Sequence, residues 1–297
     1  MNNIMETPKL FIATTALNRP DLHKEIIPDW LIFLKELNLE IIWIINIDCI
    51  DKLHFTYEET VENLKNILNG INVIFLPKKI PGFLNSCQRL SQYIYDYGMI
   101  NIKNNKLHKV AWIEDDWRCR SERFKVKCSN LVKVMGDRSL LNFRFLRQKY
   151  IWALNPSIMS YNLFLDLHYS CWNDCKKKNI KGDPEHLLGL YCRKHHNIDT
   201  MKSVLILNSR FKAIQPEFND LNFVKAPYGC IMLLEKQKKP DVILKTLKNF
   251  TDTKEFAKTD ICIISIAPHM IQDKGREYME LYNIKKNKHD GVKYEDK

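Results

Sequence analysis

The sequence predicts an α/β fold, a largely parallel sheet with helices packed on both faces. Three observations carry that reading. Strand-like and helix-like segments alternate from Leu10 to Asp115, the order of a chain that crosses back over a sheet to lay down parallel strands. The strand-like segments are apolar throughout rather than alternating, as strands covered on both faces are. A chain of 297 residues, 45% apolar and 11% aromatic, is also long enough to bury one large core.

Leu10 to Thr15 is an apolar, β-branched run closed by Asn18-Arg19-Pro20, a buried strand and its exit loop. Asp21 can cap a helix to Leu37, with Ile26, Trp30, Phe33 and Leu37 on one face. Glu40 to Ile47 is a second strand, ending in Asp48; a polar helix over about 57–69 and a third strand over 72–76 follow. Pro81-Gly82 introduces a helix of about 15 residues, and Lys109 to Asp115 is the fourth strand. Strands are expected at 140–146, 150–153, 204–207, 230–234 and 261–266. Asn155-Pro156-Ser157 reads as a turn before a helix over about 162–177. Asp183 suits an N-cap, with Pro184 in the first helical turn. A helix over 273–282 closes the ordered part. No Pro/Gly/Ser-rich linker interrupts the chain, so one domain is expected over 1–284, with a polar basic tail over 285–297.

Lysine and arginine outnumber acids 46 to 35, a formal charge of +11. Apart from runs at Lys176–Lys178, Lys236–Lys239 and Lys285-Lys286, the basic residues are scattered. There is no dense stripe interleaved with aromatics, so no nucleic-acid partner is expected. None of the nine cysteines stands in CxxC spacing, which suits reduced thiols. No signal-peptide pattern and no apolar run of membrane-spanning length is evident, so a cytoplasmic location is expected.

In parallel sheets ligands bind beyond the carboxyl ends of the strands. Thr15 to Arg19, Asp48, and Glu114-Asp115-Asp116 all fall at such ends and should converge on one cleft. The acidic triplet carries the most chemistry. Adjacent carboxylates repel one another, and a hard divalent ion with oxygen ligands is their natural counterion. Strand alternation places Glu114 and Asp116 on one side, with Asp115 turned away.

The triplet after a fourth apolar strand resembles the DxD-type motif, in its EDD form, of GT-A glycosyltransferases. The resemblance covers roughly residues 9–120 and extends more loosely to about 283. It implies a Rossmann-like mixed sheet, with 9–120 as the nucleotide-sugar-binding half and 121–284 as the acceptor-binding half. It further implies transfer of a sugar from a nucleotide diphosphate donor, a UDP-sugar by preference, to a hydroxyl of a glycan, protein or lipid. On that resemblance Asp116 would bind Mn²⁺ or Mg²⁺, Glu114 would contact the donor, and Asp115 would be a second possible ligand. Thr15, Asn18 and Arg19 would line the nucleotide pocket, Asp48 would meet the uracil or ribose, and Arg89 the ribose or sugar. His269 would be a late metal ligand, with Lys274 and Arg276 at the departing diphosphate. An inverting reaction needs a carboxylate base, for which Glu185 is preferred over Asp183. Trp152, Tyr161, Trp172, Phe211 and Tyr228 are aromatic candidates for an acceptor platform. A nucleotidyltransferase is the rival on the same half-fold, although the loop from Thr15 to Pro20 lacks the glycines such enzymes use; a metal nuclease is the rival from another class.

Overall fold

The computed structural model describes residues 6–120, 132, 135, 137, 139–143, 156–196, 203–207, 222–226, 229–234, 262–266 and 271–281. Strands β1 (Lys9–Leu17), β2 (Glu40–Asp48), β3 (Asn72–Phe75) and β4 (Lys109–Glu114) alternate with helices α1 (Pro20–Lys35), α2 (Tyr57–Ile67) and α3 (Phe83–Asn101). Short strands β5 (Trp117–Cys119), β6 (Ser139–Asn142) and β7 (Ser157–Ser160) follow. Next come α4 (Tyr161–Phe164), a π-helical stretch (Leu165–Tyr169), α5 (Ser170–Lys177) and α6 (Pro184–His196). The later strands are β8 (Ser203–Leu207), β9 (Asn222–Ala226), β10 (Gly229–Leu234), β11 (Cys262–Ile266) and β12 (Ile271–Asp273), and then α7 (Gly275–Leu281).

The main sheet has the order β3-β2-β1-β4-β7-β6-β11-β8-β10-β9, and β12 pairs with β5 in a separate ribbon. The sheet is mixed, mostly parallel and Rossmann-like. β1 is parallel to both β2 and β4, so the chain winds outward from β1 through β2 to β3 and returns to the other side at β4. That reversal is a topological switch point, where a crevice opens beyond the strand ends.

Side-chain alternation divides the apolar residues between two cores, one on each face. Leu10, Ile12, Trp43, Ile45, Ala111 and Ile113 pack on the α1 and α2 side. Phe11, Ala13, Ile42, Ile44, Val110 and Trp112 pack on the side of α3 and the helices after β7. Trp30, Trp43, Trp112 and Trp172 are wholly buried among them, and each such side chain contributes on the order of 2–3 kcal/mol of transfer free energy. This parity fixes the site: continuing β4 by one residue gives Glu114 the parity of Trp112, and the next gives Asp115 that of Ile113.

Several boundaries differ from expectation. Helix α1 starts at Pro20, so Arg19 holds the N-cap position and Asp21 lies in the first turn, because proline's fixed φ suits the first helical residue. β4 ends at Glu114, one residue short. α3 runs for 19 residues rather than about 15. Ser157 opens a strand instead of closing a turn, because Ile158 and Met159 pair between β4 and β6. Asp273 ends a strand paired with β5, and the last helix waits until Gly275. The strand expected at 150–153 lies outside the described residues. Among the described residues no helix is long and apolar enough to cross a membrane.

Candidate functional site

The carboxyl ends of β1 and β4 are tied together by the triplet itself. Thr15 stands opposite Glu114 in the parallel register, and the ladder continues with Asp115 N–H donating to the Thr15 carbonyl at 3.2 Å. Asp115 then turns onto the α1 side, as its parity requires. Its Oδ2 accepts from Leu17 N at 2.9 Å, Arg19 Nε at 2.9 Å and His23 Nε2 at 2.7 Å. Its Oδ1 accepts from Arg19 Nη2. Arg19, His23 and Asp115 are all at most 3% exposed. Burial opposes ionisation of Asp115, but the charge and hydrogen bonds of Arg19, with those of His23, outweigh it and hold the carboxyl below its ordinary range. Burial likewise opposes the Arg19 charge, and Asp115 and Asp116 reverse that.

Asp115 and Arg19 spend their polar atoms on each other, because a buried charge needs a hydrogen-bonded partner. Asp115 thus ties the end of β4 to Arg19 and to the Leu17 backbone. His23, not singled out in the sequence, completes the brace.

Asn18 and Asp48, both expected at a nucleotide, also make hydrogen bonds within the protein. Asn18 Nδ2 donates to Phe55 O at 2.6 Å and its Oδ1 accepts from Ile50 N at 2.8 Å, which closes the loop after β2. Asp48 accepts from Asn46 Nδ2, Gly82 N, Ser86 Oγ and Arg89 Nη2 at 2.7–3.1 Å. It thereby seats the first turns of α3 against β2. Thr15 is 8% exposed at the mouth of β1.

Glu114 is held by Trp117, and Asp116 shares Arg19 with Asp115. Glu114 Oε2 accepts from Trp117 Nε1 at 2.9 Å. Burial first, then the negative charges of Asp116 and Glu185, push the Glu114 carboxyl well above its ordinary value. The interaction with Glu185 brings the start of α6 to the triplet across a sequence separation of some 70 residues. Asp183 caps that helix as expected, accepting from His186 N at 3.0 Å. The acids Glu114, Asp48 and Asp183 also raise the thiol of Cys87, after burial as the leading cause.

Asp116 keeps 30% of its side chain exposed, and its Oδ2 lies 3.5 Å from Arg19 Nη2. The segment from β12 into α7 packs over it. Lys274 N donates to the Asp116 carbonyl at 2.8 Å, and a Cβ added at Gly275 would meet Asp116 Oδ2 at 2.3 Å and its Cβ at 2.6 Å. Glycine is required there by close approach, which no local motif signals. Lys274 Nζ lies 3.3 Å from Glu25 and 3.1 Å from Glu277. Tyr278 donates from its hydroxyl to Asp21 at 2.7 Å and its ring faces the Arg19 guanidinium. So the late segment from Lys274 to Tyr278 packs against the triplet and α1. His269 and the Arg276 side chain lie outside the described residues.

Among the described residues no group of three or more His, Cys, Asp and Glu side chains is arranged to hold a metal ion. With Asp115 committed elsewhere, the hard oxygens of Asp116 and Glu114 are the donor set that the triplet offers a divalent cation. A cation there would offset the repulsion between the two carboxylates. Of the aromatic acceptor candidates, Tyr161 and Trp172 are core residues, 2% and 1% exposed; Trp152, Phe211 and Tyr228 lie outside the described residues.

No protein-family model matches the chain, and no curated protein matches its sequence. Among solved structures it is similar to the galactosyltransferase LgtC in complex with donor and acceptor sugar analogs. That match has a TM-score of 0.33 and 12% identity, and covers 66% of this chain and 75% of the other.

Proposed function

We propose that the chain is a GT-A-type glycosyltransferase that moves a sugar from a nucleotide diphosphate donor, a UDP-sugar by preference, to an acceptor hydroxyl. The observation that carries this reading is the placement of Glu114 and Asp116 at the switch point, where β4 ends beside β1. An acidic cluster of that kind has a use where a cation and a diphosphate are to be held together.

Asp116 is the residue assigned to Mn²⁺ or Mg²⁺, with His269 as its expected late partner. A divalent ion there would offset the charge that builds on the departing diphosphate. Lys274 and Arg276 add positive charge from the segment packed over Asp116. Glu114, held by Trp117 at the end of β4, contacts the donor. Thr15 borders the nucleotide, and Arg89 holds Asp48 and α3 at the cleft edge. Arg19, His23 and Asp115 position the strand end without touching the substrate. In an inverting reaction Glu185 takes the proton of the acceptor hydroxyl as its oxygen bonds to the anomeric carbon and the bond to the diphosphate oxygen breaks. Asp183 orients that helix rather than acting as the base.

A panel of nucleotide sugars scored for hydrolysis with and without Mn²⁺ tests the reading. Turnover of one donor that requires Mn²⁺ and is lost in Glu185→Gln, with donor affinity retained, is the expected result. Absence of metal-dependent turnover and of nucleotide binding across the whole panel would remove it.

A further inference from the structure

A second cavity, of about 730 Å³, opens on the outer side of α3, between the loop after β3 and the end of α5. Its lining on α3 runs from Asn85 to Asp96, and its charge is opposite to that of the acidic cleft. Lys79, Arg89 and Lys176 line it against a single acid, Asp96. Asp96 is itself engaged, accepting from Gln92 Nε2 at 2.9 Å. Lys79 and Lys176 are exposed, and neither is ion-paired among the described residues. Arg89 gives Nη2 to Asp48, while its buried Nε has no hydrogen-bond partner. A guanidinium carries five N–H donors, so Arg89 can serve Asp48 and a ligand together.

The remaining lining mixes the amides of Asn85, Gln88 and Gln92 with apolar side chains and one aromatic ring. Leu76 and Ile80 form one wall, Ile80 standing 82% exposed at the rim, and the Tyr93 ring forms another. An exposed isoleucine beside unpaired lysines suits a ligand with an anionic head and an apolar or planar body. The volume is that of a site for a small molecule. Lys176 belongs to a basic run at the end of α5, which the acidic cleft leaves unused.

We propose that this groove binds a phosphomonoester carried on an apolar or planar body, at a site separate from the acidic cleft. Lys79 and Lys176 would take the phosphate as point charges, with the Arg89 guanidinium adding charge from α3, and Tyr93 and Ile80 would cover the body. A nucleoside monophosphate and a lipid-like alkyl phosphate share this chemistry. The inference does not rest on the transferase reading.

Calorimetric titration of the full chain with uridine monophosphate, with decyl phosphate below its micellar range and with inorganic phosphate distinguishes the sources. Binding of one organic phosphate, more tightly than inorganic phosphate, is expected. The double variant Lys79→Glu/Lys176→Glu should weaken it by at least about tenfold, the size of one charge-assisted contact. Its melting temperature should match the wild type, since both lysines are exposed. Asp116→Asn should bind the same phosphate with unchanged affinity. No binding of either organic phosphate, binding that survives the double charge reversal, or binding lost in Asp116→Asn would each overturn the proposal.

Discussion

Arg19 grips Asp115 through both Nε and Nη2 at the end of β4, and the pair is buried to within a few per cent of full enclosure. Removing one member leaves the other as an uncompensated charge, which costs about 3–5 kcal/mol. Arg19→Ala and Asp115→Asn should each lower unfolding free energy by that order in urea titrations. Arg19→Lys should recover only part of it, because an ammonium cannot reproduce the two-pronged contact. A loss under about 1 kcal/mol, the range of surface pairs, would contradict a bracing role.

Gly275 is expected to matter to binding rather than to folding. An alanine there places its Cβ against Asp116 Oδ2 and Cβ, while Gly275 is the first residue of α7, so the helix interior is untouched. Gly275→Ala should therefore weaken metal-dependent nucleotide binding by roughly tenfold or more, with little change in melting temperature. Unaltered affinity would show that Asp116 can move aside without consequence.

His168 gives the pH dependence a defined sign. Its ring packs between Trp112 and Trp172, and burial pushes the imidazole down to about 3. Once unfolded, the same ring binds a proton near its ordinary value of 6.5. The stability it contributes is therefore complete above about pH 6.5 and drains away as pH falls toward 3. His168→Phe removes this loss, so the stability difference between variant and wild type should shift by about 2 kcal/mol in favour of the variant from pH 7 to pH 5. Parallel curves in urea titrations at the two pH values would exclude a buried neutral histidine.

Gly98 on α3 faces Tyr161, whose hydroxyl would lie 1.8 Å from an added Cβ. Gly98→Ala should destabilise by about 1–3 kcal/mol through overpacking. Combining it with Tyr161→Phe removes the clashing oxygen, at the expense of the hydroxyl's 3.3 Å bond to Ile94 O. The double variant should therefore be more stable than the sum of the single effects, as a double-mutant cycle in urea would measure. Simple additivity would argue against that contact.

Much of the first half was legible because it rests on local signals. Uninterrupted apolar strands, helix periodicity and strand parity were enough to place the triplet at a strand end and to turn Asp115 away from Glu114. The cap at Asp183 is equally local. What was not legible depends on partners distant in sequence. β5 exists only because β12 pairs with it some 150 residues later, and β7 forms by inserting antiparallel between β4 and β6. Asn18 and Asp48 illustrate a different difficulty. Polar residues at strand ends read as ligand contacts, but here they satisfy loop backbone and the start of α3. His23 on the inner face of α1 gave no sign of its partner until Asp115 was in place.

Asp116 is the residue on which the functional account turns. The most direct measurement is the thermal shift produced by UDP with Mn²⁺, compared between the wild type and Asp116→Asn. The account predicts stabilisation of the wild type that needs both UDP and Mn²⁺ and disappears in the variant. An equal shift in both proteins, or none in the wild type, would contradict it.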